Sequence, residues 1–409
     1  MTVIWNKNYT DEEIENLINE AKELTFDHLG LGIHSIIATA LDFHKDILYK
    51  DAEKLVLNTL DNIDRNRINK QNFLEQINEF ELGFLRQRKT EYHVVTSISI
   101  RNKCRIEPIV HENIEIRFYN KEPSKYKREE FLGDIVQVLH SPELPNDYKA
   151  TVLKVNARSE YEAGVHALET LDFVLSTWNF ALNYSHGKMQ FFQANKPSPI
   201  NKIVKGPIHT IHLPSGELTE EKIYYYEPDY YGPVECYDIA QSIRNMKKFE
   251  LMVKNIVKKH NKWGNKVRNS LIRYTRALEK RDHVSSFLDM WSILELLALT
   301  SSNENHREIV QRISNLYADS PIHKTFINFI RQIRNSLVHQ SEFNFHRTNL
   351  LYEIKDFVEG LILYHFAAMK IFGNYGEAIQ FIDLPNDERE IKKRIRLLKK
   401  YHKTRFSKE

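Results

Sequence analysis

The spacing of apolar residues along this 409-residue chain changes twice, and those two changes constrain its fold more than any other feature. Behind the cap Thr10 and its acidic neighbours, Ile14, Leu17, Ile18, Ala21 and Leu24 recur every three or four positions. That period continues to about Arg88 through Ile36–Leu48, Ala52–Ile63 and Phe73–Leu85, and it lines one face of successive helices. From Glu91 the period drops to two. HVVTSISI and IEIRFYN alternate as half-buried strands do, and YKATVLKVNA follows Pro142 and Pro145. Ser159-Glu160-Tyr161-Glu162 then has capping-box spacing and opens a long helix to about Leu182. KMQFFQ and HTIHL, separated by Lys196-Pro197-Ser198-Pro199, and then IYYYEP read as further strands. From Asp238 the helical period returns and holds.

The expected fold is therefore multidomain and mainly α. Residues 1–89 form a helical N-terminal segment, 90–240 an α+β domain and 241–409 a helical bundle ending in a basic helix. Strand, capped helix and further strands suit a split βαβ unit, with the strand order left open. No flexible linker separates these parts, so they are expected to pack on one another.

Composition excludes several classes of function. The 42 % hydrophobic and 28 % charged residues describe a globular core with an ordinary surface. A net charge of +3 announces no polyanion partner by itself, so any basic surface must come from clustering. Cys104 and Cys236 lie far apart, which fits neither a disulfide scaffold nor a zinc knuckle and suits a reducing cytoplasm. The polar, acidic start WNKNYTDEEIENL is no secretory signal. The most apolar helical run, Phe357–Phe372, carries Glu359, His365 and Lys370, as a bundle helix does and a membrane span does not. No glycine-rich loop followed by Lys-Ser/Thr, no His-Glu-x-x-His and no nucleophile elbow is present. No metal and no cofactor is expected.

The stretch with chemistry in it is FINFIRQIRNSLVHQ, Phe326 to Gln340. As a helix it sets Phe326, Ile330, Ile333 and Leu337 on one face. Arg331, Asn335 and His339 fall on the opposite face, with Arg334 beside them. An arginine, an amide and an imidazole together suit an anion such as phosphate. An arginine separated from a histidine by four to six residues also occurs at Arg88/His93, Arg105/His111, Arg276/His283 and Arg396/His402. Among these pairs only Arg334/His339 has asparagine directly after the arginine. Upstream, SSFLDMWSILELLAL is apolar almost all round, with Asp289, Ser292 and Glu295 forming one narrow polar stripe. A carboxylate in so apolar a helix needs a partner, and Arg334 is a natural one for Glu295.

The run Arg334-Asn335-Ser336-Leu337-Val338-His339, with its acidic partner on an earlier apolar helix, resembles the HEPN superfamily. More closely, residues 266–375 resemble the C-terminal HEPN-like domains of bacterial anti-phage proteins of the ApeA type. That resemblance implies a metal-independent endoribonuclease acting in abortive infection in the bacterial cytoplasm. It also implies a homodimer whose two motifs face each other across a two-fold axis. Residues 1–240 would then sense a phage trigger or hold the site in check, or an inhibitory partner would do so.

In such a site the RNA 2′-hydroxyl attacks the phosphate, leaving a 2′,3′-cyclic phosphate and a 5′-hydroxyl. His339 exchanges the proton, and Arg334 holds the phosphate. Asn335 orients the imidazole or the phosphate, while Glu295 and Arg331 support Arg334. A non-catalytic RNA- or protein-binding regulatory module is the alternative.

Two surface features stay open. Lys392, Lys393, Arg394, Arg396, Lys399 and Lys400 could gather RNA, or belong to a solvated helix with Ile391, Ile395 and Leu398 packed down. Tyr224, Tyr225, Tyr226, Tyr230 and Tyr231 could stack on bases, or form an edge strand packed on one face.

Overall fold

The computed structural model describes residues 3–23, 32–64, 69–101, 105–139, 144–186, 200–301, 304–339, 349–385 and 387–406. About 60 % of it is helical, in fourteen helices among the described residues, with a small antiparallel sheet. The candidate strand KMQFFQ lies outside the described residues. No helix among them is long and apolar enough to cross a membrane.

The N-terminal segment holds α1 (Asp11–Glu23), α2 (Ile33–Thr39), α3 (Tyr49–Asn62) and α4 (Lys70–Arg86) around Ile14, Ile18, Ile37, Val56, Phe73 and Ile77. Thr10 starts α1 as its sequence suggests: Glu13 N donates to its hydroxyl at 3.2 Å and its own N–H donates to Glu13 Oε2 at 2.7 Å. A two-stranded sheet of β1 (Ile4–Trp5) and β2 (Leu41–Asp42) was not legible in the sequence. It interrupts the helical period read over Ile36–Leu48, because the chain leaves α2 at Thr39 to pair with β1. Buried Glu81 then fixes the turn by accepting His44 N at 2.7 Å.

The middle region contributes β3 (Thr90–Ile98), β4 (Ile109–His111), β5 (Ile114–Tyr119), α5 (Glu129–Leu139), β6 (Lys149–Ala157), α6 (Glu160–His186), β7 (Ile208–His212) and β8 (Tyr224–Tyr226). The sheet order is β4-β5-β6-β3-β7-β8, antiparallel at every pairing. Because β6 and β7 both pair antiparallel to β3, they run parallel to each other, and α6 joins them across it. That is a split βαβ unit. Val95 faces Val152 on one side and Thr210 on the other.

One sheet face packs on α6 through Val94, Leu153, Ile211, Ala167, Val174 and Trp178. Tyr225 on the edge strand closes over α6 at Gly164, where its ring leaves no room for a Cβ, while Tyr226 points to solvent. The tyrosine run is thus an edge strand with one face packed.

Eight helices follow: α7 (Ile243–Lys259), α8 (Asn261–Glu279), α9 (His283–Ala298), α10 (His306–Asn315), α11 (Ser320–His339), α12 (Asn349–Ala368), α13 (Tyr375–Ile382) and α14 (Glu388–Phe406). Their core gathers Phe287, Trp291, Leu294, Ile313, Ile330 and Val358. Each such fully buried side chain stabilises the fold by about 1.5–3 kcal/mol. Helix α6 is apolar on two sides, because Phe173 and Phe180 reach into this same core while Trp178 faces the sheet. Sheet and bundle therefore share a helix.

Candidate anion site at the junction of α9, α10 and α11

Glu295 lies near the C-terminal end of α9, and its Oε1 is the meeting point of three donors. Trp291 Nε1, one turn earlier, donates to it at 2.7 Å. Arg334 Nη2 of α11 lies 3.4 Å away, the partner its sequence suggested. The third group is His306, whose Nε2 lies 3.0 Å from the same oxygen.

His306 was not among the residues singled out from the sequence. The signal was present: Asn305-His306-Arg307-Glu308 has capping-box spacing, which puts His306 in the first turn of a helix. In the structure both halves of that box form, and α10 starts at His306. Nothing local, however, tells that this turn meets the end of α9. Arg312 decides it. This buried guanidinium donates to Ala298 O at 2.6 Å, to both Glu304 oxygens at 2.9 Å, and to Asp383 at 2.8 and 3.0 Å. It thereby ties α10 to the end of α9 and to α13. Its hydrogen bonds hold the Glu304 carboxyl down at about 2, well below the usual carboxylate range.

Helix α11 is rotated by about one residue from the face its sequence suggested. Ile327, Ile330 and Ile333 are buried, Leu337 is half-buried, and Phe326 is 52 % exposed. The cause is packing mainly against α10, which turns Ile327 inward in place of Phe326. The same rotation brings Arg334 toward Glu295, with 23 % of its side chain exposed. Arg331 lies one turn earlier on the flank toward α10, its Nε donating to Asn328 Oδ1 at 3.1 Å. Asn335 follows Arg334 half-buried. His339 is the last residue of α11, and its side chain lies outside the described residues.

No protein-family model, curated protein or solved structure matches the chain.

The site's own atoms define its chemistry. A cavity of about 440 Å³ is lined by Glu304, Asn305, His306, Arg307 and Arg331, and the Glu304 carboxylate in it is held by Arg312. Neither Arg307 nor Arg331 has a carboxylate within ion-pair distance among the described residues, so their charge is available to an anion. Burial, and next the charge of Arg334, push the His306 imidazole below its ordinary value, against the opposing pull of Glu295. The ring is therefore neutral near pH 7. Glu295 favours the tautomer with its proton on Nε2, which leaves the Nδ1 lone pair to accept a proton. A neutral, carboxylate-held imidazole can accept a proton beside guanidinium groups able to hold an anion. Among the described residues no group of three or more His, Cys, Asp and Glu is arranged to hold a metal ion.

The basic helix α14 is a different surface. It has no buried residue; Leu397 and Leu398 are exposed, and the packed-down arrangement of Ile391, Ile395 and Leu398 is not formed. Lys392 pairs with Glu388, and Lys393 and Arg394 with Glu390. Arg396, Lys399 and Lys400 lie on the same exposed helix.

Proposed function

We propose that this chain is a metal-independent endoribonuclease of the HEPN kind. The observation that carries the reading is the shared Glu295 oxygen, with Arg334 and His306 on it, beside a cavity whose Arg307 and Arg331 have no acidic partner among the described residues. Arg334 and Arg331 bind the scissile phosphate and stabilise the charge of the pentacoordinate state. Neutral His306 takes the 2′-hydroxyl proton at Nδ1. The 2′-oxygen bonds to phosphorus, the bond to the 5′-oxygen breaks, and the motif histidine His339 protonates that oxygen. Asn335 contacts the phosphate or steadies His339, and Glu295 holds both His306 and Arg334 in place. The products are a 2′,3′-cyclic phosphate and a 5′-hydroxyl.

A homodimer fits this reading. Ile322, Phe326 and Phe329 form an exposed apolar stripe on α11, the helix that carries the motif. The reading extends to an anti-phage effector of the bacterial cytoplasm, restrained by residues 1–240 until a trigger or partner releases it.

The test is incubation of the purified protein with single-stranded RNA in EDTA. Cleavage to 2′,3′-cyclic phosphate ends that disappears in Arg334→Ala and His306→Ala, with folding unchanged, supports it. RNA bound yet left whole by the wild type under every activating condition replaces it with the binding-module reading.

A further inference from the structure

The cavity at His306 does not end there. It shares Arg307 and Arg331 with a larger one of about 730 Å³ that continues between α10 and α11. Lys324 of α11 enters this groove and donates to Gln311 Oε1 of α10 at 2.5 Å, so the ammonium is held across the cleft. Lys324 and Arg331 are seven residues apart on one helix, about 10 Å along its axis. Both are on the flank that faces Arg307. Glu308, the one carboxylate among the described residues that line this larger groove, is already engaged, its Oε2 accepting Asn305 N at 3.0 Å in the α10 cap. The groove is thus cationic at three points, polar at Gln311 and Asn328, and apolar at Val310 and Pro321.

We infer that the α10–α11 groove is the track for the single-stranded RNA flanking the cleaved bond, with Arg307, Lys324 and Arg331 on successive backbone phosphates. The inference rests on the nuclease reading for which bond is cut, but not for what binds. Charge fixed on two facing helices meets a chain of regularly spaced monoanions. Packed helices stand about 8–10 Å apart axis to axis, so the groove is a seam on their surface, along which the phosphates of a single strand can lie. No aromatic ring lines the groove among the described residues, so bases gain no stacking platform there. The track reads backbone, tolerates any sequence, and delivers the strand to Arg331 and Arg334.

The experiment is equilibrium binding of the full chain to a fluorescent 12-nucleotide RNA that is fully 2′-O-methylated and so cannot be cut. It compares wild type with Arg307→Ala/Lys324→Ala across a salt series. Both residues are exposed, and an unchanged melting curve verifies the fold. The double variant is expected to bind about tenfold more weakly at 0.1 M salt. Its slope of log affinity against log salt should shrink by about 1.4, roughly 0.7 for each lost single-strand phosphate contact. Lys392→Ala/Lys393→Ala removes equal charge from α14 and should move both values far less. Equal affinity and equal slope in the groove variant overturn the track, as does a larger loss for the α14 variant. An acidic peptide that competes fully with the RNA at the wild-type groove, while the slope stays unchanged, reassigns it to a protein partner. A wild type that binds with the full slope but cuts no natural RNA sinks the nuclease reading and leaves the track standing.

Discussion

At the C-terminal end of α8 charges close on one another, whereas at the α9–α11 site they stay open. Lys205 Nζ lies 2.6 Å from Asp172 Oδ1 and also pairs with Glu227, while Arg276 Nη2 lies 2.6 Å from Asp172 Oδ2. His209 completes the set, its Nε2 2.9 Å from Glu227 and its Nδ1 2.6 Å from Thr96 Oγ1. Asp172, Lys205 and His209 are buried where the sheet meets the bundle, Glu227 is half-buried and Arg276 is exposed at the rim, and each charge is answered from inside the fold. At the α9–α11 site one carboxylate, Glu295, faces the guanidinium of Arg334 and an imidazole, while Arg331 and Arg307 point into open cavities. The first arrangement fixes where two layers sit. The second leaves positive charge with no acidic partner among the described residues.

Substitutions should separate the two regions. Lys205→Met, which leaves buried Asp172 only the exposed Arg276 and Glu227 only His209, should cost about 3 kcal/mol of stability. It should leave RNA affinity per folded molecule unchanged, as read from denaturant melts beside binding curves. Arg334→Ala should do the reverse, with stability within about 1 kcal/mol of wild type and cleavage down by about 10²–10³-fold in single-turnover assays. Loss of fold in Arg334→Ala, or an unstable yet RNA-blind Lys205→Met, would erase the distinction.

Smaller effects sharpen it through pH. Glu279, beside the closed network, has its carboxyl raised to about 8, chiefly by burial, with Glu227 and Asp172 adding to the shift and Lys205 opposing it. The folded state holds that proton more tightly than the unfolded chain does. This group's contribution therefore falls as pH rises from the ordinary Glu range through about 8. Glu279→Gln should flatten that part of the stability profile, and an unchanged slope counts against it.

His306 has the opposite sense. Its imidazole is lowered, so the folded state binds its proton less tightly, and both the stability it lends and its basic form are lost as pH falls below the ordinary His range. Removing the Arg334 charge with Arg334→Ala should raise the His306 value in an NMR titration, while Glu295→Gln should lower it further. A His306 that titrates identically in both variants is not coupled to the site. Smallest of all is truncation of α14 after Asp387, which should weaken RNA binding no more than a few-fold. Its lysines are solvated and Lys392, Lys393 and Arg394 are locally paired, so they offer little field at a fixed point.

What could be read in advance followed short-range rules. The period-2 block located β3, β5, β6 and β7, and Ser159 and Glu162 marked the start of α6. What could not be read depended on contacts distant in sequence. The two-residue strands β1 and β2 have too little pattern to register alone. The one-residue rotation of α11 depends on α10 lying beside it, and Ile327 and Phe326 have equal claim to a core until a neighbour is chosen.

The sequence alone determined the division into helical, mixed and helical parts, because hydrophobic period is a local property of the backbone geometry. It also singled out the polar side chains of α11 on which the proposed function rests. Only the tertiary structure decided that His306 joins them. A histidine in the first turn of a ten-residue helix has no address until buried Arg312 ties Ala298, Glu304 and Asp383 together and carries that turn to Glu295. A side chain's partners across 11 residues, as between Glu295 and His306, or 39, as between Glu295 and Arg334, are fixed by packing and not by propensity.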